Sequence, residues 1–257
     1  RGSKRAFASS DRCSTIHRVV SQRKSERKTL RKTHMGGKTM TEATTPETSQ
    51  KSLAHFPIAF FAVLMGLWGW TLASQAAADA GVVPEGIAGL SRIIALLVTL
   101  GVYATFIIKI VRWPSSFVAE WKSPPKLAFF PAESISLLLA GTAFQEVLPV
   151  FAEGVWVIGA ILQGILSLTV ISSWISHRPF EIGQLSPAWF IPAVGNVVAP
   201  VAGAQFGYIE ISWLFFSGGL IFWLVLLTLV MNRLMFHAPL PERLLPTLVI
   251  MIAPPSV

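Results

Sequence analysis

The sequence predicts an all-α integral membrane protein built from repeated helical hairpins, with proline-kinked helices inside and straight helices outside. Three observations carry that prediction. Of 257 residues, 53% are hydrophobic and 13% charged, whereas a soluble domain carries about a quarter charged residues. At least six apolar stretches approach or cross a bilayer in length, for which a helix needs roughly 20 residues. Proline is confined to alternate stretches. A soluble globular enzyme is excluded.

Residues 1–55 read as a basic tail. They hold 13 Lys and Arg against 4 acids, while residues 56–257 hold 8 against 9, so the net charge of +8 belongs to the tail. The run from Arg23 to Lys32 is basic, and few large apolar residues accompany it. Such a composition cannot bury a core and predicts disorder. A nucleic-acid patch, an anionic-lipid contact and a transit peptide are open readings. The expected reading is sequence outside the native coding region, with translation starting at Met35 or Met40, and no function follows from it. Cys13 is the single cysteine, so an internal disulfide or a cysteine metal site is excluded.

The membrane domain is expected over 56–257, with spans at 56–74, 92–112, 127–144, 155–176, 187–206, 211–233 and 244–257. The third and fifth are marginal by hydropathy because they are rich in Pro, Gly and polar residues. The seventh runs to Val257 with no polar stop, which predicts a chain truncated inside a helix. Spans 1, 3, 5 and 7 contain Pro57, Pro131, Pro187, Pro192, Pro200, Pro246, Pro254 and Pro255, and spans 2, 4 and 6 contain none. Proline within a membrane helix frees a carbonyl and kinks the axis, so it belongs where neighbours or a wet cavity satisfy the backbone. Phe56-Pro57-Ile58-Ala59, Phe130-Pro131-Ala132, Ile191-Pro192-Ala193 and Leu245-Pro246-Thr247 form a weak repeat, a feature typical of transporters and channels.

Loop charge sets the expected orientation. Asp79 and Glu85, Glu146 and Glu153, and Glu210 mark acidic connections. Lys109, Arg112, Lys122 and Lys126, then His177 and Arg178, then Arg233 and Arg243 mark basic ones. Basic and acidic connections alternate, which places the N-terminus in the cytoplasm by the positive-inside rule.

Inside the membrane, Glu133 is the ionisable residue that the sequence singles out, since a charge at a helix centre costs roughly 2.5–3.5 kcal/mol on insertion scales. It is either a wet carboxylate at a helix N-terminus or a titratable group in a permeation path. His177 and His237 read as interfacial. Candidate path-lining residues are Phe60, Phe61, Ala62, Gly66, Glu133, Thr142, Asn196 and Thr247. Aromatics can narrow a path, and small residues either leave room or let backbones approach. No zinc-protease motif, nucleophile elbow, paired carboxylates or Walker loop is found, so no catalytic residue, cofactor or metal site is expected.

His55 to Leu67, Ser123-Pro124, Ser186 to Val194, Trp213 to Gly219 and Ile252 to Pro255 resemble the tellurite-resistance/dicarboxylate transporter family, which includes the slow-type anion channels. The resemblance covers about residues 55–257 and implies ten helices in five hairpins, an inner ring around a pore and an outer ring, of which about seven helices are present here. It further implies a homotrimer in the lipid bilayer of the inner membrane, small anions or C4-dicarboxylates as permeants, and no nucleic-acid partner. The family's occluding phenylalanine belongs to the ninth helix and has no counterpart here, and Ala62 stands where a relative has glycine. A proton-coupled dicarboxylate or sulfite/tellurite exporter is the first alternative. A membrane-embedded enzyme or assembly factor is the alternative from another class.

Overall fold

The computed structural model describes residues 53–176 and 182–256. The tail with Cys13, Met35 and Met40, and the pair His177 and Arg178, lie outside the described residues. The described residues are helical, with no strand among them. A 3-10 turn Ile58–Phe60 leads into α1 (Phe61–Asp79), followed by α2 (Glu85–Arg112), α3 (Pro114–Trp121), α4 (Pro124–Leu127), α5 (Pro131–Phe144) and α6 (Pro149–Ile175). A 3-10 turn Pro187–Phe190 then leads into α7 (Ile191–Gly203) and α8 (Ile209–Phe236), and a 3-10 helix Glu242–Ile252 into α9 (Ala253–Ser256).

Among the described residues, five helical segments are long and apolar enough to cross a membrane: 58–79, 85–112, 125–144, 149–175 and 209–236. Residues 187–203 and 244–256 form shorter apolar helices. Two long helices begin earlier than the sequence predicts, at Glu85 instead of residue 92 and at Pro149 instead of residue 155. At 28 residues, α2 is about 42 Å long and outreaches the roughly 30 Å hydrocarbon core. The connection after α2, expected as a loop, contains the helix α3.

The prolines do something other than kink. Phe129 and Phe130 donate to the carbonyls three residues back, Lys126 and Leu127, at 3.0 and 3.3 Å, just before α5 opens on Pro131. The segments before α1 and α7 are likewise 3-10 turns. Each of these repeated signals therefore marks a tight turn giving way to an α-helix. Proline suits a first helical turn because its missing N–H would have had no intrahelical acceptor. Among the described residues, Pro200 and Pro246 fall beyond a first turn, so most expected kinks are helix starts.

Layering follows side-chain size. Eleven residues of α5 and ten of α7 are buried, against a stripe of six on α2, Ala88, Ser91, Ala95, Thr99, Phe106 and Lys109. The small members of that stripe let α1 approach, and Trp68 Nε1 donates to Thr99 Oγ1 at 3.0 Å. Outward, α2 shows Leu90, Ile93, Leu97 and Leu100, a surface suited to lipid. The α8 helix is still more exposed, with 17% of its most apolar window buried against 78% for the third span.

Two cations lock hairpins at their ends. Lys109, in the last turn of α2, is fully buried; its Nζ donates to the Phe56 carbonyl at 2.6 Å and pairs with Glu120 on α3 at 2.5 Å. Arg233, in the last turn of α8, donates to the Leu185 carbonyl. Phe56 directly precedes Pro57, and Leu185 lies two residues before Pro187, each proline standing at the start of the other helix of the same hairpin. The sequence places both cations at basic helix ends; the structure adds that each is buried against a backbone carbonyl.

Candidate functional site

The helix α1 has two unlike faces. Phe61, Leu64, Trp68 and Thr71 are buried. Ala62, Val63, Gly66, Gly69, Trp70, Ala73 and Ala76 form an exposed stripe at helical spacing. A Cβ built on Gly66 or Gly69 meets nothing within 4 Å. At its far end the stripe reaches a cavity of about 160 Å³ between the C-terminal turns of α1 and α5, where Ala76, Gln75 and Asp79 face Thr142, Gln145 and Glu146. Gln75 Nε2 spans the two helices to the Ala143 carbonyl at 2.9 Å.

Of the sequence candidates, Ala62 and Gly66 lie on the exposed stripe and Thr142 in the cavity it reaches. Phe60 is 42% exposed and stacks on Phe56 with centroids 4.6 Å apart. Phe61 is wholly buried, edge-on to Tyr103 and Phe106 at 5.0 Å each. Glu133 is half-buried in the first turn of α5. Its backbone carbonyl accepts from Tyr103 Oη at 2.9 Å and Ser136 Oγ at 2.7 Å. Among the described residues nothing hydrogen-bonds or ion-pairs with its carboxylate. Thr247 Oγ1 donates to the Leu244 carbonyl at 2.5 Å.

Asn196 faces α6. Its Oδ1 accepts from Gln163 Nε2 at 2.9 Å and from Ser167 Oγ at 3.2 Å, both on α6. A Cβ on Gly219 of α8 would lie 3.0 Å from the Asn196 Cβ. Gln163 is fully buried and is the hub of this arrangement. Its Nε2 also donates to the Pro192 carbonyl at 3.0 Å, and its Oε1 accepts from Ser134 Oγ on α5 at 2.6 Å. One amide thus joins α5, α6 and α7, and a Cβ on Gly195 would collide with it. In hydrocarbon such groups must find protein partners. Sequence reasoning missed Gln163 and Ser167 because the span reads as apolar; their i, i+4 spacing was the available signal.

Tyr208, just ahead of α8, donates to Glu153 Oε1 at 2.8 Å. That bond holds its phenol above the ordinary range. Among the described residues no three His, Cys, Asp or Glu side chains gather in a way that could hold a metal.

The family model described as voltage-dependent anion channel matches residues 55–257. An uncharacterized transporter of Methanocaldococcus jannaschii is 26% identical over 80% of this chain and 64% of its own length. An S-type anion channel of Arabidopsis thaliana is 26% identical over 80% of this chain and 41% of its own. The tellurite resistance protein TehA homolog of Haemophilus influenzae is 28% identical over 48% of this chain and 38% of its own. The chain therefore spans less than two thirds of the length of these relatives. The match runs over nearly all the described residues and agrees with an all-helical bundle carrying five membrane-length segments. The chain belongs to the voltage-dependent anion channel family.

Proposed function

We propose that the chain contributes to a path for small anions or C4-dicarboxylates across a cytoplasmic membrane, with the exposed stripe of α1 as one wall. The observation that carries this is the pairing of the family match over 55–257 with a face of α1 on which Gly66 and Gly69 meet no neighbour. The 3-10 segments and the α1, α5 and α7 helices that follow them carry no Lys or Arg within 56–79, 127–144 and 187–203, so an anion would meet no fixed cation there. Hydroxyl donors and helix-start dipoles would favour it weakly, and weak binding suits fast passage. Phe60 and the rings near it would narrow the path. The proposal includes a homotrimer, as the family resemblance implies, and an N-terminus in the cytoplasm, as the alternation of loop charge suggests.

One observation favours a second reading. Glu133 keeps an unpaired carboxylate in the third span, and a carboxylate there could carry a proton together with an anion. The test is flux through the full-length protein in liposomes, with chloride, nitrate and malate gradients at two pH values. Currents that follow the anion gradient and ignore pH support the passive path. Electrically silent, pH-driven malate uptake that Glu133→Gln abolishes would replace it with the coupled carrier.

A further inference from the structure

We propose that the connection from Arg112 to Lys126 is a binding corner for the phosphate of an anionic lipid headgroup. Arg112, Lys122 and Lys126 are all exposed within fifteen residues of chain. The one acid among them, Glu120, is 6% exposed and already committed to the buried Lys109 at 2.5 Å. Within residues 112–126 the exposed charge is therefore cationic, since the one acid of that segment is buried between Lys109 and Lys126.

The position of the corner selects a lipid over a soluble anion. α3 starts on Pro114 directly after the membrane-length α2. Inward, Phe117 packs edge-on to Phe106 and Phe130 at 6.1 and 5.7 Å, and Trp121 to Phe130 at 4.6 Å. Outward, Val111 is 75% and Val118 43% exposed. Apolar side chains facing out beside three cations are the pattern of a helix lying where acyl chains meet headgroups. Lys126 is positioned for the task. Glu120 Oε1 holds its Nζ at 3.1 Å, while about half of the side chain is exposed, so the ammonium is steadied and still has donors for phosphate oxygens.

The probe is phosphatidylglycerol against phosphatidylcholine at equal amounts, with lipid retained by the full-length protein read by native mass spectrometry. The expected result is selective retention of phosphatidylglycerol, falling about fivefold for each cation removed in Lys122→Gln, Lys126→Gln and Arg112→Gln. A charge-preserving Lys122→Arg/Lys126→Arg variant keeps retention. Undiminished retention in the triple glutamine variant would overturn the proposal. So would displacement of the lipid by millimolar inorganic phosphate, which would make the corner a site for a soluble anion.

Discussion

α1 and α5 both follow a Phe-Pro signal, Phe56-Pro57 and Phe130-Pro131, and both are rich in small residues, yet they end in different surroundings. In the third span 78% of the most apolar window is buried, and in the first 33%. The glycines differ in the same way. A Cβ on Gly141 of α5 would lie 3.0 Å from the Ala152 carbonyl and the Trp156 Cβ, whereas on Gly66 of α1 it would touch nothing. In α5 the missing side chain lets α6 come close; in α1 it leaves space. What α1 lacks in packing is partly offset by Lys109, which fastens the chain at Phe56 just ahead of it.

That contrast can be broken in four places. The largest effect is expected from Lys109→Met, which leaves Glu120 buried and short of a partner at a cost of about 3 kcal/mol. Unfolding in mixed micelles, followed by circular dichroism, measures it, and Lys109→Met/Glu120→Leu should recover most of the loss. Gly141→Leu should cost about 1–3 kcal/mol by overpacking against α6 in the same assay; a smaller loss would mean that the α5–α6 seam is loose. Gln163→Leu should cost about 1–2 kcal/mol, since interhelical hydrogen bonds in membranes are individually modest but Ser134 and Asn196 would lose a partner together. Gly66→Leu should change stability by less than about 0.5 kcal/mol while lowering anion flux in liposomes. A stability loss as large as that of Gly141→Leu would erase the distinction between the two helices.

The all-helical class and the positions of the seven apolar segments were legible because apolar runs and their interruptions are local properties. The prolines were legible as a repeated signal, but their meaning was not. Pro131 and Pro149 begin helices, and whether a proline starts or bends a helix depends on where the first hydrogen-bonded turn closes. The helix α3 was hidden because eight residues between charges look like a loop until Phe117 and Trp121 find Phe130. Rotation about the helix axis was the least legible quantity. Phe60 and Phe61 are neighbours of one residue type, yet one is exposed and the other is at the centre of an aromatic cluster. Asn196 likewise turns toward α6 and α8 because Gln163 is there to meet it. Only the partner helices decide such angles, and a sequence pattern with no net amphipathicity does not reveal them.

The most direct test of the central claim, that the small-residue stripe of α1 borders the anion path, is cysteine accessibility. With Cys13 and any further native cysteine replaced by serine as background, Gly66→Cys and Gly141→Cys are each introduced into the full-length protein and reconstituted into liposomes. A small anionic thiol reagent is added while anion current is recorded. Modification of Gly66→Cys with a matching fall in current, and an inert Gly141→Cys, is the predicted result. Modification of Gly66→Cys with the current unchanged would place the path elsewhere.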